Sequence, residues 1–375
     1  MMKRLIEIWK KWFGKSSECV SHTSAFSQEG KAGKCKSSLL DDLEAYLFAR
    51  YDFRFNVLTE QTEYRQKGEG AYAQVEQRVL NTLCIDARGQ GINCWDKDVS
   101  RLLHSQKIKD FHPFLDYMAG LPEWDGIDRV TPLAKHVSDK SLWVNGFHRW
   151  MLAVVAQWQG LDTVHANSVA PVLISTEQGM MKSTFCKSLM PECLQAYYTD
   201  RIDMTSEGCL ENKLALMGLI NMDEFDQIPT NRMAQLKNLM QTPSITIRQA
   251  YKKNFRQLPR IASFIGTSNR KDLLTDPTGS RRFLCIEVMR KIDCTNLDIN
   301  QVYAQLKTEL ANGERYWFTS EEEQEIQENN SPYRQVRPEE ELLLSHYRIP
   351  MEGEAYEMLS LVEMLNELRS EYASL

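Results

Sequence analysis

One stretch limits the possible folds more than any other. Between Val169 and Val288, four short apolar runs alternate with helical segments. Val169–Ser175 precedes a helix over Lys182–Met190 that stops at Pro191, and Leu216–Met222 precedes a helix over Asn231–Gln241. Ile261–Gly266 and Phe283–Val288 complete the set. Apolar runs this short, bounded by turn residues and separated by helices, predict strands buried on both faces. The expected core is therefore α/β, three-layered, with a mostly parallel sheet.

The loops after these runs carry the chemistry. The first run leads through Ser175-Thr176-Glu177-Gln178-Gly179-Met180-Met181 into Lys182-Ser183-Thr184 and a helix. Strand, loop, Lys-Ser-Thr, helix is the layout of a phosphate-binding loop. There, backbone N–H groups surround phosphates, a lysine reaches the terminal ones and a hydroxyl binds Mg²⁺. Against the pattern G-x-x-x-x-G-K-[ST], Thr176 and Met181 stand at the two glycine positions, leaving Gly179 in the loop. Glycine suits such a loop because the backbone must approach phosphates closely, sometimes at positive φ. The second run ends in Asp223-Glu224-Phe225-Asp226. One carboxylate at such a strand end can hold Mg²⁺ while its neighbour activates water. The third run ends in Gly266-Thr267-Ser268-Asn269, which brings an amide to the same crevice. Gly279-Ser280-Arg281-Arg282-Phe283 supplies two cations before the fourth run, a residue type that stabilises transition-state charge.

Composition sets outer limits. The chain has 375 residues, 42% hydrophobic and 26% charged, with a net charge of −6, which excludes a largely disordered or fibrous chain. No apolar run approaches the ~18 residues that span a bilayer. Lys10 and Lys11 interrupt the basic start Met1–Phe13, so neither a membrane segment nor a signal peptide is expected. The nine cysteines include no Cys-x-x-Cys pair. No disulfide framework or zinc module is expected, Cys186, Cys209 and Cys285 read as buried reduced thiols, and a cytoplasmic protein fits.

Charge is unevenly spread. Arg232–Arg290 holds 12 Lys/Arg against three Asp/Glu, a net of +9, whereas Glu314–Leu375 holds 15 Glu against five Arg, a net of −10. The basic block suits a polyanion such as nucleic acid; a solvated surface balanced by the acidic tail is the other reading. Within it, Ser244–Arg260 carries Arg248, Tyr251, Lys252, Lys253 and Arg256. Cations interleaved with aromatics can grip phosphates and stack bases.

The organisation expected along the chain has four parts. Residues 1–38 hold an amphipathic helix and a linker, and 39–165 a helical N-terminal region. Residues 166–292 form the P-loop core, and 293–375 a helical C-terminal appendage. Leu39–Leu103 reads as mainly helical, Trp143–Gly160 as an apolar helix containing a core histidine, His148, and Glu321–Glu328 as an exposed helix. In Phe111–Arg129, Trp124 and Asp125 are expected to staple a turn and Asp128 to pair with Arg129. No Ser/His/Asp ordering suggests a hydrolase triad.

From about Phe111 to Val288 the chain resembles the virulence-associated protein E family, P-loop ATPases of phages, plasmids and integrated mobile elements that look related to superfamily-3 helicases. The residues that carry the resemblance are Leu121–Arg129, Glu177-Gln178-Gly179 with Lys182-Ser183-Thr184, Glu224-Phe225-Asp226, Arg260, Gly266–Asn269, and Asp276-Pro277-Thr278-Gly279-Ser280-Arg281-Arg282-Phe283.

The resemblance implies an ATP- and Mg²⁺-dependent, helicase-like motor or replication accessory that hydrolyses ATP by in-line attack of water. Lys182, with Glu177, Gln178, Gly179, Met181 and Thr184, would contact the nucleotide. Ser183 and Asp223 would serve Mg²⁺, Glu224 would activate water, and Asn269 would sense the terminal phosphate. Arg281 or Arg282 would act as an arginine finger, reaching a neighbouring subunit in a homo-oligomeric ring. The basic block would form a hairpin touching single- or double-stranded DNA, and primase or other replication proteins would be separate partners. Arg248 and Arg260 are alternatively structural or nucleotide-facing. Two rivals stand beside this reading: a non-hydrolysing DNA-binding scaffold and a small-molecule P-loop kinase.

Overall fold

The computed structural model describes residues 38–161, 165–202, 209–248, 255–275, 280–335, 338–351 and 353–371. The expected helix at Met1–Phe13 lies outside them.

The first unit corrects the reading of Leu39–Leu103 as mainly helical. Helix α1 (Leu39–Arg50) gives way to a hairpin, β1 (Tyr51–Asn56) and β2 (Gln61–Gln66), with a short β3 (Ala73–Gln74). Helices α2 (Gln77–Gly89) and α3 (Asp96–Leu103) follow, then β4 (Asp110–Phe111), in a sheet of order β3-β2-β1-β4. The signal was the period-2 alternation Tyr51-Asp52-Phe53-Arg54-Phe55-Asn56. The aromatic side packs against a small core of Leu43, Leu47, Leu83 and Leu103, while Asp52 and Arg54 pair across the strands with Arg65 and Glu63. The polar sequence of β2 conceals its strand character, because its partners lie across the hairpin.

Residues 113–329 build around one sheet. Helices α4 (Pro113–Gly120), α5 (Val130–Lys135) and α6 (Ser141–Trp158) precede β5 (Ala170–Ile174) and α7 (Lys182–Ser188). A two-residue strand missing from the sequence reading, β6 (Tyr198–Thr199), comes next, followed by α8 (Cys209–Leu216) and β7 (Leu219–Met222). Helix α9 (Thr230–Gln241), strands β8 (Ser244–Arg248), β9 (Phe255–Pro259), β10 (Ser263–Ser268) and β11 (Phe283–Glu287) complete the run. The sheet order is β11-β5-β10-β7-β6, and every pairing in it is parallel. Strands β8 and β9 stand apart as an antiparallel pair.

Three layers follow from residue alternation. Leu173, Ile265, Leu284 and Ile286 face one cluster, with Phe147 and Trp158 of α6 and Phe185 of α7. Val172, Ile174, Phe264 and Cys285 face the other, with Leu236 and Met240 of α9. Helices α10 (Ile299–Ala311) and α11 (Ser320–Asn329) contribute Tyr303, Leu306 and Ile326 to the first cluster. The Glu-rich α11 is thus a helix as expected, but one anchored by the fully buried Ile326. The acidic chain continues through α12 (Pro338–His346) and α13 (Leu361–Glu371). Among the described residues no helix is long and apolar enough to cross a membrane. Cys186 and Cys285 are buried free thiols; the side chain of Cys209 lies outside the described residues.

Two local expectations change. Arg129 pairs with Asp125 through two bonds of 2.6 Å, not with Asp128. Asp128 instead accepts the N–H groups of Val130 and Thr131 and the amide of Gln305. Trp124 does close its turn, donating to the Ile127 carbonyl at 2.9 Å. His148 is not a core histidine: it is half-buried, with Nε2 2.6 Å from Glu309.

His112 caps α4, its Nδ1 accepting from Leu115 N–H at 3.3 Å, a bond that requires the neutral ring. Burial pushes its pKa down to about 4. The unfolded chain, titrating near 6.5, then binds that proton more readily than the folded one. The stability contributed by neutral His112 is therefore complete above about pH 6.5 and is lost as the pH falls toward 4. Denaturant melts should show roughly 2–3 kcal/mol less stability at pH 4.5 than at pH 7 from this group. His112→Asn, which keeps a capping oxygen, should flatten that slope; an unchanged slope would contradict the assignment.

Candidate functional site

The loop Ser175–Met181 leaves the carboxyl end of β5, the edge at which a parallel α/β sheet binds ligands. Gly179 has φ +78° and Met181 φ +64°, both left-handed, whereas Thr176 keeps a negative φ that any residue tolerates. A methionine in that conformation stores about 1–2 kcal/mol of strain. Its side chain packs against the first hydrophobic cluster. The turn that glycine usually supplies is therefore made here with a bulky residue held by the core.

Lys182 is the centre of the arrangement and is only 8% exposed. Its Nζ donates to the Ser175 carbonyl at 3.1 Å and to Oδ1 of Asn269 at 2.9 Å, linking the ends of β5 and β10. Burial pushes the ammonium pKa down, and the carboxylates of Asp223 and Asp226 oppose that shift. At the end of β7, Asp223 Oδ1 accepts from Ser183 Oγ at 2.9 Å and from Thr267 Oγ1 at 2.5 Å. Asp226 accepts from Ser268 Oγ at 2.8 Å. Glu224 is exposed, with φ +54°, at the turn out of β7. Lys182, Ser183, Asp223 and Asn269 thus meet in one polar crevice. Thr267, Ser175 and Asp226 join them; the sequence marked these positions only as members of motifs.

The donor set at Ser183 and Asp223 is a hydroxyl and a carboxylate, oxygen-only, which suits a hard cation such as Mg²⁺ that keeps waters and takes further ligands from phosphates. Among the described residues no group of three or more His, Cys, Asp or Glu forms a self-sufficient metal cage.

The two arginines lie elsewhere. Phe283 of β11 pairs with Ala170 at the amino end of β5, while Glu287 pairs with Ile174 at its carboxyl end. Arg281 and Arg282 precede Phe283, so they sit at the sheet's amino end, ~13 Å of strand away from the Lys182 loop. Arg281 pairs with Glu323 of α11 at 3.3 Å. Within one chain, then, neither arginine joins the crevice.

Arg260 resolves toward a structural role. It is fully buried and donates to the carbonyls of Thr242, Ala262 and Asn167 at 2.9–3.0 Å and to Gln157 Oε1 at 3.2 Å. The basic segment does run as an antiparallel pair, with Ile247 opposite Arg256 and Arg248 opposite Phe255. Tyr251, Lys252 and Lys253 lie outside the described residues, as do Asp276–Gly279, and the side chains of Arg248 and Arg256 are not described.

Residues 118–335, more than half of the chain, match the model of the virulence-associated protein E-like domain. The chain belongs to the virulence-associated protein E-like family. The match spans the crevice, both arginines, Arg260 and α11, so family membership and site geometry concern the same residues. No curated protein matches the chain. Among solved structures, the apo C-terminal region of NrS-1 is similar at 14% identity, with 79% of this chain and 76% of that one covered and a TM-score of 0.43. A second crystal form of the same region gives 16% identity, 79% and 68% coverage and a TM-score of 0.43. At that degree of superposition neither fold nor activity is transferred between them.

The Lys182–Asn269 contact has a measurable consequence. Asn269→Leu keeps the shape but removes the oxygen that accepts from a buried ammonium, and should cost about 1–3 kcal/mol in denaturant melts. With Lys182→Met the two losses should not add; the cycle should show coupling of at least ~1 kcal/mol. Strict additivity would mean that the contact contributes nothing.

Proposed function

We propose that this chain is a nucleoside triphosphatase of a mobile genetic element that acts on DNA during replication, hydrolysing ATP with Mg²⁺. One observation carries the reading. Residues from three strand ends meet in two hydrogen-bonded pairs, Lys182 with Asn269 and Ser183 with Asp223.

Each has a defined part in hydrolysis. Lys182, released from Asn269 and the Ser175 carbonyl, binds the terminal phosphates as an ammonium. Mg²⁺ supplies charge neutralisation for the triphosphate, with Ser183 and Asp223 as its protein ligands. Glu224, exposed at the turn beside Asp223, takes the proton from the attacking water. Asn269 offers its amide to the γ-phosphate. Glu177, Gln178, Gly179, Met181 and Thr184 surround the phosphates through the loop and the first turn of α7.

Arg281 and Arg282 are the finger candidates, and their place at the opposite end of the sheet supports a role across a subunit boundary. A head-to-tail ring brings the amino end of one sheet to the Lys182 loop of the next. The antiparallel β8–β9 pair supports the reading of a DNA-touching hairpin, for which Arg248, Tyr251, Lys252, Lys253 and Arg256 are the candidate contacts.

The test measures Mg·ATP turnover with and without single-stranded DNA. Lys182→Ala should fall to background, and Arg281→Ala should retain ATP binding with turnover reduced at least 100-fold. Mixing the two inactive variants should restore partial turnover, since a Lys182→Ala subunit still lends its arginine. Background turnover in the wild type would favour the scaffold reading instead. Restored activity absent from the mixture, with each variant still assembling, would overturn the role of Arg281 across a subunit boundary.

A further inference from the structure

The acidic end of the chain leaves much apolar surface uncovered. Fifteen large apolar side chains are exposed among the described residues, and eight of them lie between Leu344 and Leu365. Met358, Leu361 and Val362 are 84%, 81% and 67% exposed. The segment is nevertheless tied together by its own bonds. Ser360 and Glu363 form a capping box at the start of α13, Ser360 N–H donating to the carboxylate at 2.8 Å and Glu363 N–H to the hydroxyl at 3.3 Å. Arg348 holds Glu354 through two bonds of 2.9 and 3.0 Å. Tyr347, just after α12, donates to Glu367 of α13 at 2.6 Å. Leu368 is buried, so α13 is anchored at its later turns while Leu361, Val362 and Leu365 of its first turns face solvent. An apolar surface fixed in place in this way marks an interaction site.

Charge narrows what can cover it. Residues 338–375 hold nine Glu against two Arg, a net of −7. The cover must therefore be both apolar and basic. Symmetric pairing of two copies through this face would set like charge against like charge. The basic block Arg232–Arg290 has the charge, but among its described residues Met289 is the one large apolar side chain left exposed. Met1–Phe13 has both properties. Leu5, Ile8, Trp9, Trp12 and Phe13 recur at i, i+3, i+4, i+7 and i+8, the spacing of a helix that anchors in an apolar groove. Lys3, Arg4, Lys10 and Lys11 stand against Glu7, a net of +3. The 24 residues from 14 to 37 span up to ~80 Å when extended, so the start of the chain can reach its end.

We propose that the acidic, apolar face at Leu344–Leu365 is the docking site of the chain's own basic segment Met1–Phe13, with Trp9 and Trp12 as its anchors. Hydrogen exchange of the full chain, read by mass spectrometry, tests this. In Trp9→Asp/Trp12→Asp, the amides of α13 should exchange about five-fold faster or more, while those of β5, β7 and β10 keep their rates. Leu361→Asp/Val362→Asp should in turn speed exchange within Met1–Phe13. A photoreactive benzophenone side chain in place of Trp9 should form its adducts within Leu344–Leu365. Rates of α13 indifferent to the tryptophan variant, or adducts formed elsewhere, would overturn the proposal. So would protection of α13 that rises with protein concentration and ignores the tryptophan variant, which would assign the face to a second copy.

Discussion

A buried guanidinium holds the central strands in place. Arg260 lies between β9 and β10 and, with no exposed surface, bonds the chain before β5, the end of α9, the start of β10 and the side chain of Gln157 in α6. A buried charge is costly unless its hydrogen bonds are satisfied, and the planar five-donor fork of arginine can serve several carbonyls at once. A lysine could not reach four such acceptors from one point. The amino ends of β5 and β10 are thereby held together, and the parallel register carries through to Ser268 beside Ile174 at their carboxyl ends.

That register makes the opposite end usable. Ser175 N–H bonds the Ser268 carbonyl at 3.1 Å, so Lys182, one loop later, reaches both Ser175 and Asn269 without leaving its helix. Two buried cations therefore secure the β5–β10 pair, Arg260 at the amino end and Lys182 at the carboxyl end. They differ in kind. Arg260 is enclosed among carbonyl oxygens, whereas Lys182 lies beside the carboxylates of Asp223 and Asp226 in a crevice open to solvent at Ser183 and Glu224. The first suits permanent structure, and the second suits an exchange of partners.

The loop shows how a degraded motif can retain its shape. Glycine is favoured in such turns for its conformational freedom, but the core can impose the same dihedral on another residue if side-chain burial offsets the strain. Met181 meets that condition by packing against the first cluster. The loss of a glycine from the pattern is thus a poorer guide to loop geometry than the environment of its replacement.

Much of the core was legible in the sequence. Continuous apolar runs at Val169–Ser175, Leu216–Met222, Ile261–Gly266 and Phe283–Val288 pointed to buried parallel strands, because they are short, bounded by turn residues and separated by helices. The polar residues just after the first three runs meet at one edge, since parallel strands deliver their carboxyl ends there. The N-terminal hairpin was not legible, because β2 has a polar sequence whose strand character arises from cross-strand pairs such as Arg54–Glu63. Nor was the partner of Arg129, which reaches back to Asp125 through the turn closed by Trp124. The far position of Arg281 and Arg282 follows from the direction of β11, which runs parallel to β5 and so leaves the residues before it at the sheet's amino end. Sequence alone determined which segments must be buried and which polar groups border them. Tertiary structure decided which of those groups meet, because strand order and register arise from contacts between residues far apart in the chain.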